Sequence, residues 1–366
     1  MKVERLALYN FRNLAPLELM PDGGLNLIIG PNAAGKSNLC EAIYYVAKGW
    51  LLKGERQRDV IAFGQQEAAI ELSVNGDEIR VHLNGRARAK TIELNHERKT
   101  QSELSARLHV VLFTPDELQI LKGRPEQRRR FLDRSISEIS REYRYVLREY
   151  EQVLQRKSAL LHQETPDPEV LEVFNQELVE RGSWLIAQRR EYIRELNKML
   201  PERYQAICGR ESKLVLSYEG PSVPLAQLIR DATPEEIRRR MILVGPHRDD
   251  LRFMLDGHDL RRFGSQGEQK SALCAVLLAQ LDLGFQRFGD YPILILDDVL
   301  TELDRPRLQR LLQLLPKDIQ IFLTHTAMDP EELFPEVRAV ARRIFAIENG
   351  RVIPLPSQGE GKLKQG

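Results

Sequence analysis

The chain has 366 residues, 42% apolar and 29% charged, with a formal net charge of +1. That length holds two or three domains, or one large core carrying an insertion, in an ordinary globular composition. The near-zero charge excludes a uniformly basic nucleic-acid binder, no apolar run approaches the roughly 20 residues of a membrane helix, and Met1–Arg12 lacks a signal-peptide core, so a cytoplasmic protein is expected.

Val3–Tyr9 alternates loosely, and Leu17–Met20 and Leu25–Ile29 continue in strand character. The last run feeds into Gly30-Pro31-Asn32-Ala33-Ala34-Gly35-Lys36-Ser37, which fits G-x-x-x-x-G-K-[ST] residue for residue. Asn38–Ala47 then carries Leu39, Ile43, Val46 and Ala47 at helical spacing. Strand, loop and helix in that order suit phosphate binding. The two glycines let the backbone turn its N–H groups onto a β-phosphate, the helix presents its positive end, Lys36 adds a charge and Ser37 offers a hydroxyl to Mg²⁺. Cys40, Cys208 and Cys274 are odd in number and far apart, which argues against disulfides and cysteine metal sites.

Ile70–Val74, Glu78–Leu83 and Thr91–Leu94, separated by Asn75-Gly76 and Asn84-Gly85, predict an antiparallel meander. His109–Phe113 is a further buried strand. From Glu126 onward, Leu132, Ile136, Ile139, Tyr143, Val146, Tyr150 and Val153 recur at heptad spacing and predict one long helix. Thr165-Pro166-Asp167-Pro168 breaks it, and Glu169 to about Leu200 forms the second arm of a helical hairpin. Most arginines of the first arm have acidic neighbours and read as a salt-bridged face, whereas Arg128-Arg129-Arg130 reads either as a phosphate contact or as a set of partners for carboxylates within the chain.

Lys213–Tyr218 has strand character, Thr233-Pro234 opens a short helix, and Gly245-Pro246-His247-Arg248-Asp249-Asp250 leads into a hairpin from Leu251–Leu255 through Asp256-Gly257. Ser265-Gln266-Gly267 precedes a helix with an apolar face over Leu273–Phe285. Ile293–Leu296 is a buried strand ending in Asp297 and Asp298, with Glu302-Leu303-Asp304 just beyond. Ile319–Thr324 is another, ending at His325, and Ile344–Ile347 and Val352-Ile353 are the last strands before a polar tail, Ser357–Gly366, expected to be disordered.

Each of these signals is weak alone, but their order resembles the split nucleotide-binding domains of ABC ATPases. The resemblance narrows to the bacterial RecF family through Asn10-Phe11-Arg12-Asn13, the phosphate loop, Lys122-Gly123-Arg124-Pro125, Arg128–Asp133, Gly245–Asp250, Ser265–Lys270 and Asp297–Asp304. It spans nearly the whole chain. Ser37 stands where Thr is common, and Glu268 and Lys270 stand where Gln and Arg are more usual.

The resemblance implies an α/β fold, an ABC-type ATPase head with an antiparallel meander and an inserted α-helical hairpin lobe. The expected organisation is an N-terminal ATPase half over 1–122, the helical lobe over 123–240, a C-terminal ATPase half over 241–356 and a tail over 357–366. It further implies ATP and Mg²⁺ as cofactors, weak ATP hydrolysis, an ATP-dependent homodimer, and binding to double-stranded and gapped DNA. Action with RecO and RecR to load the RecA recombinase, and no membrane partner, are implied as well.

Within that scheme Gly30 to Lys36 with Asn38 hold the nucleotide, Ser37 and Asp297 hold Mg²⁺, and Asp298 polarises the attacking water. His325 senses the γ-phosphate, and Ser265, Gln266 and Gly267 serve the nucleotide of a second molecule. Arg12 is a further candidate phosphate contact. The glutamine that links metal to the helical lobe is unassigned, with Gln119 and Asp116 equally near. A transporter ATPase would share most motifs but not the arginine block, a small-molecule kinase has no use for the signature helix, and an SMC-type structural protein has far longer arms.

Overall fold

The computed structural model describes residues 1–51, 57–87, 89–118, 120–299, 302–327 and 334–354. Gln119 and the tail 357–366 lie outside them. In chain order the elements are β1 (Val3–Tyr9), β2 (Leu17–Leu19), β3 (Leu25–Ile29), α1 (Lys36–Lys48), β4 (Glu67–Val74), β5 (Asp77–Asn84), β6 (Ala89–Leu94), β7 (Glu97–Arg98), α2 (Gln101–Leu104), β8 (Val110–Phe113) and α3 (Pro115–Leu118). They continue as α4 (Pro125–Ile139), α5 (Arg141–Leu161), α6 (Pro168–Cys208), β9 (Leu214–Glu219), α7 (Leu225–Arg239), β10 (Asp250–Leu255), β11 (His258–Asp259), α8 (Leu260–Phe263) and α9 (Gln266–Phe288). The last are β12 (Ile293–Leu296), α10 (Arg305–Leu314), β13 (Ile321–His325), α11 (Pro335–Val340), β14 (Ala341–Glu348) and β15 (Arg351–Ile353). Among the described residues no helix is long and apolar enough to cross a membrane.

The chain packs as two compact units, Met1–Pro115 with the chain from Phe288 onward, and Asp116–Arg287. Residues 241–287, grouped from sequence with the second ATPase half, therefore pack with the helical arms, because β10 pairs with β9 and α9 runs unbroken to the boundary.

The first unit holds two sheets. One is the antiparallel meander, ordered β2-β1-β4-β5-β6-β7; the other is ordered β15-β14-β3-β13-β12-β8, with β14, β3, β13, β12 and β8 joined in parallel. β3, β12 and β8 are buried at every position, apolar throughout except for Asn26 of β3, as strands inside a parallel sheet should be. The α1 side chains Leu39, Ile43, Tyr44 and Val46 share one core with Leu6, Ile70 and Val81 of the meander and Ile28, Ile295 and Phe322 of the parallel sheet. Apolar contacts on all sides hold α1, and hence the loop before it, in a fixed place.

In the second unit the predicted single long helix is two. Ser140 takes an extended conformation, φ −135° and ψ 112°, ends α4, and caps α5 by accepting from the Tyr143 N–H at 3.1 Å. The apolar spacing continues across the break, so periodicity alone hides it. α6 is longer than expected, with 41 residues and Pro201 inside it, and Pro234 lies within α7 rather than opening a helix. Leu160, Leu161, Leu171 and Ile242 form a small core, and Lys157 on α5 pairs with Glu236 on α7 at 2.6 Å, both side chains fully buried.

Candidate nucleotide-binding site

The glycines of the phosphate loop are dictated by contacts as well as by torsion angles. Gly30 has φ +149°, and a Cβ there would lie 2.0 Å from the Ile347 carbonyl oxygen. Gly35 has φ +112° at the start of α1, where a Cβ would meet Leu14 Cδ2 at 2.5 Å. The loop is braced from outside: Asn13 Nδ2 donates to the Ala33 carbonyl at 3.0 Å, and the Gly350 N–H donates to the Ala34 carbonyl at 2.9 Å. Asn38 Nδ2 donates to Asn13 Oδ1 at 2.7 Å, closing the brace from α1.

Lys36 is buried, and its Nζ donates to the Gly30 and Pro31 carbonyls at 2.9 Å each. Burial pulls its ammonium below the ordinary value, with Asp298 and then Asp297 opposing. The Ser37 hydroxyl donates to Asp297 Oδ1 at 2.9 Å, and Thr324 Oγ1 donates to the same oxygen at 2.7 Å. Thr324 Oγ1 in turn accepts from the Asp298 N–H at 2.8 Å. Thr324 on β13 thus sets the geometry of both aspartates. Sequence reading missed it, because a threonine inside a buried strand carries no motif.

Asp298 adopts φ +54°, which turns it off the line of β12. Burial and then the Asp297 charge push its carboxyl above the usual aspartate range, while Lys36 and His325 pull the other way. The phosphate-loop lysine, both aspartates and the histidine therefore feel one another electrostatically. His325 Nδ1 accepts from the Thr326 N–H at 2.7 Å, so the neutral ring carries its proton on Nε2.

Beside the loop lies a cavity of about 1100 Å³ lined by Arg12, Lys36, Ser37, Phe63, Gln65 and Arg86, among others. Its far wall is the turn before β4, held by the Ala62 N–H donating to the Asn10 carbonyl and the Arg12 N–H donating to the Val60 carbonyl, both at 2.8 Å. Phe63, fully exposed on this turn, was not anticipated. Arg12 lines the cavity but spends its guanidinium on Glu41 of α1, at 2.7 Å.

Gly30 to Asn38, Asp297, Asp298 and His325 come together in the first unit. Ser265, Gln266 and Gly267 belong to the second, where Ser265 precedes α9 and exchanges hydrogen bonds with Glu268. The arginine block is mostly internal to that second unit. Arg128 meets Asp250 through two bonds of 2.7 Å with its side chain 3% exposed, and Arg129 donates to the Asp249 carbonyl at 2.6 Å. Only Arg130 of the three stays outside, paired with Glu126. Of the two readings of this block, the structure gives Arg128 the intramolecular carboxylate and Arg129 a backbone carbonyl, and both bonds tie the Gly245–Asp250 segment to α4.

The family description RecF/RecN/SMC N terminal domain matches residues 2–340. The DNA replication and repair protein RecF of Desulforamulus reducens is 34% identical over 341 residues, covering 88% of this chain and 92% of that protein. The chain belongs to the RecF family. RecF of Symbiobacterium thermophilum is 35% identical over 372 residues, covering 96% and 98%. Among solved structures, the recombination mediator protein RecF-ATPrS in the RecFOR pathway superposes with a TM-score of 0.86 at 28% identity, covering 97% of this chain and 98% of that one. The RecF-ATP structure gives 0.84 at 27%, covering 97% of each. An SMC head bound to the C-winged helix domain of ScpA shares the fold alone, with a TM-score of 0.56 at 18% identity and coverage of 98% and 99%. The head fold expected from the motif order is the one these RecF and SMC heads share.

Proposed function

We propose that this RecF-family protein is an ATP-dependent DNA-binding protein of recombinational repair, whose two copies close on ATP at duplex DNA beside single-strand gaps and assist RecA loading with RecO and RecR. The observation that carries the nucleotide chemistry is the convergence of Ser37, Asp297, Thr324 and Asp298 beside Lys36. Support for the DNA-repair role comes from the RecF relatives and from the RecF-ATP structure of the RecFOR pathway.

The loop amides and Lys36 hold the β- and γ-phosphates of ATP, and the dipole of α1 adds to their field. Ser37 Oγ and Asp297 Oδ1 are hard oxygen donors 2.9 Å apart, a donor set that suits Mg²⁺ and would hold it. When bound, Mg²⁺ supplies charge neutralisation to the phosphate oxygens. Asp298 orients the attacking water and accepts its proton; its raised affinity for protons favours that role. His325 offers Nε2–H to the γ-phosphate. Ser265 and Gly267, at the positive end of α9, receive the γ-phosphate of the nucleotide on a second copy, so hydrolysis requires the dimer.

Binding of ATP and of duplex, single-stranded and gapped DNA, by wild type and by Lys36→Ala at two salt concentrations, tests the reading. ATP-dependent DNA binding that Lys36→Ala abolishes is expected; DNA binding indifferent to ATP and to Lys36 contradicts it.

A further inference from the structure

The signature segment is already engaged, and its partner is a charge. The Ser265 N–H donates to Glu268 Oε2 at 2.8 Å, the Ser265 hydroxyl donates to the same oxygen at 3.0 Å, and the Glu268 N–H donates back to Ser265 Oγ at 3.2 Å. This is a capping box in which the hydroxyl proton, as well as the amide, is committed to the carboxylate. Arg210 forms an ion pair with the other Glu268 oxygen. Arg210 directly follows Gly209, the left-handed residue that ends α6, so the ion pair joins the end of the long arm helix to the first turn of the signature helix. The Ser265 amide, and more weakly Arg210, hold the Glu268 carboxyl below its usual range, so it is anionic at neutral pH.

An anion in the first turn stabilises an isolated helix, yet it also takes up the donors that an incoming phosphate needs. A phosphate approaching Ser265 meets a like charge within a turn and a hydroxyl pointed elsewhere. A glutamine at position 268 would keep the cap, since its carbonyl oxygen accepts from the Ser265 N–H, while removing the charge.

We propose that Glu268 opposes docking of the second copy's γ-phosphate on Ser265, and that Arg210 is a positioning residue that neutralises Glu268 and draws it aside so that docking can proceed. This rests on the reading that the signature acts on a second molecule's nucleotide. The ion pair is exposed on the Arg210 side, with 55% of that side chain accessible, so it contributes little to folding and its variants keep their fold.

The test is a double-mutant cycle on the full chain, reading self-association by analytical ultracentrifugation with Mg²⁺ and a non-hydrolysable ATP analogue, with thermal melts as a folding control. Glu268→Gln is expected to lower the protein concentration for half-association by about fivefold, and Arg210→Ala to raise it by a similar factor. Arg210→Lys should restore the wild-type value. In the double variant Arg210→Ala should have no further effect, because the charge it answers is gone. A purely structural Arg210 would instead show the same defect in both backgrounds, and that result, or an unchanged Glu268→Gln, overturns the proposal. Absence of analogue-dependent association in wild type and every variant would sink the two-copy reading itself, a different outcome from association that ignores these substitutions.

Discussion

Ser37 and Asp297 stand 260 positions apart in the chain, yet the Ser37 hydroxyl donates to Asp297 Oδ1 at 2.9 Å. The contact exists because β3 and β12 flank β13 in one parallel register, delivering the first turn of α1 and the end of β12 to the same edge.

Lys36→Ala should abolish ATP binding, because in the proposed mechanism this residue meets phosphate already in the ground state. Asp298→Asn should bind ATP normally and lose about 10²-fold or more in turnover, because proton transfer belongs to the transition state. Calorimetry and a phosphate-release assay separate the two. Wild-type turnover in Asp298→Asn removes Asp298 from the mechanism.

The raised affinity of Asp298 for protons has a pH consequence of definite sign. Its ionised form is disfavoured in the folded state, so it costs stability at neutral pH, and that cost disappears as pH falls below the unfolded aspartate value near 3.9. Asp298→Asn should therefore melt about 1–3 °C higher at neutral pH, the gain fading on acidification. Turnover of the wild type should fall on the acid side with a midpoint above that of an ordinary aspartate. A gain in melting temperature independent of pH would assign it to another cause.

Phe63 is a large, exposed apolar side chain at the wall of the cavity beside the phosphate loop. We predict that it stacks on the base, a contact worth about 1 kcal/mol. Phe63→Ala should then weaken ATP about fivefold and leave inorganic tripolyphosphate unaffected, whereas Phe63→Tyr should retain ATP affinity. Equal losses for both ligands would place the effect on the loop rather than on the base.

Arg128→Ala should destabilise the protein by about 3 kcal/mol, since it strands Asp250, and Arg130→Ala by less than about 1 kcal/mol. Loss of DNA binding in an Arg128 variant would then report unfolding, which a denaturant melt reveals. Equal, small effects of both substitutions on the melt contradict the inward assignment of Arg128.

What was legible from sequence follows from how local each signal is. Gly30–Ser37 is contiguous, and its strand and helix flank it, so loop, β3 and α1 could all be placed. Arg128 stayed open between phosphate and carboxylate because the residue that holds it, Asp250, is 122 positions away, and a run of arginines looks the same whether its partners are solvent, phosphate or a distant carboxylate. The break at Ser140 was hidden for a different reason. Its cap is local, but Ile139 and Tyr143 keep the heptad spacing on either side, and spacing was the stronger cue. Thr324 and Phe63 carry meaning only once β13 and the turn before β4 are brought against the loop.

Completion of one copy's phosphate loop by another copy's signature, as proposed above, is tested most directly by mixing two inactive proteins. Ser265→Arg keeps its own phosphate loop but blocks the junction with a bulky cation, and Lys36→Ala keeps its signature but cannot hold ATP. A heterodimer pairs the intact loop of the first with the intact signature of the second, leaving one wholly wild-type site. ATPase activity on mixing should exceed the sum of the separate variants and rise with the fraction of mixed pairs. Normal ATP hydrolysis by monomeric Ser265→Arg alone, or a mixture no more active than its parts, would contradict a site shared between two chains.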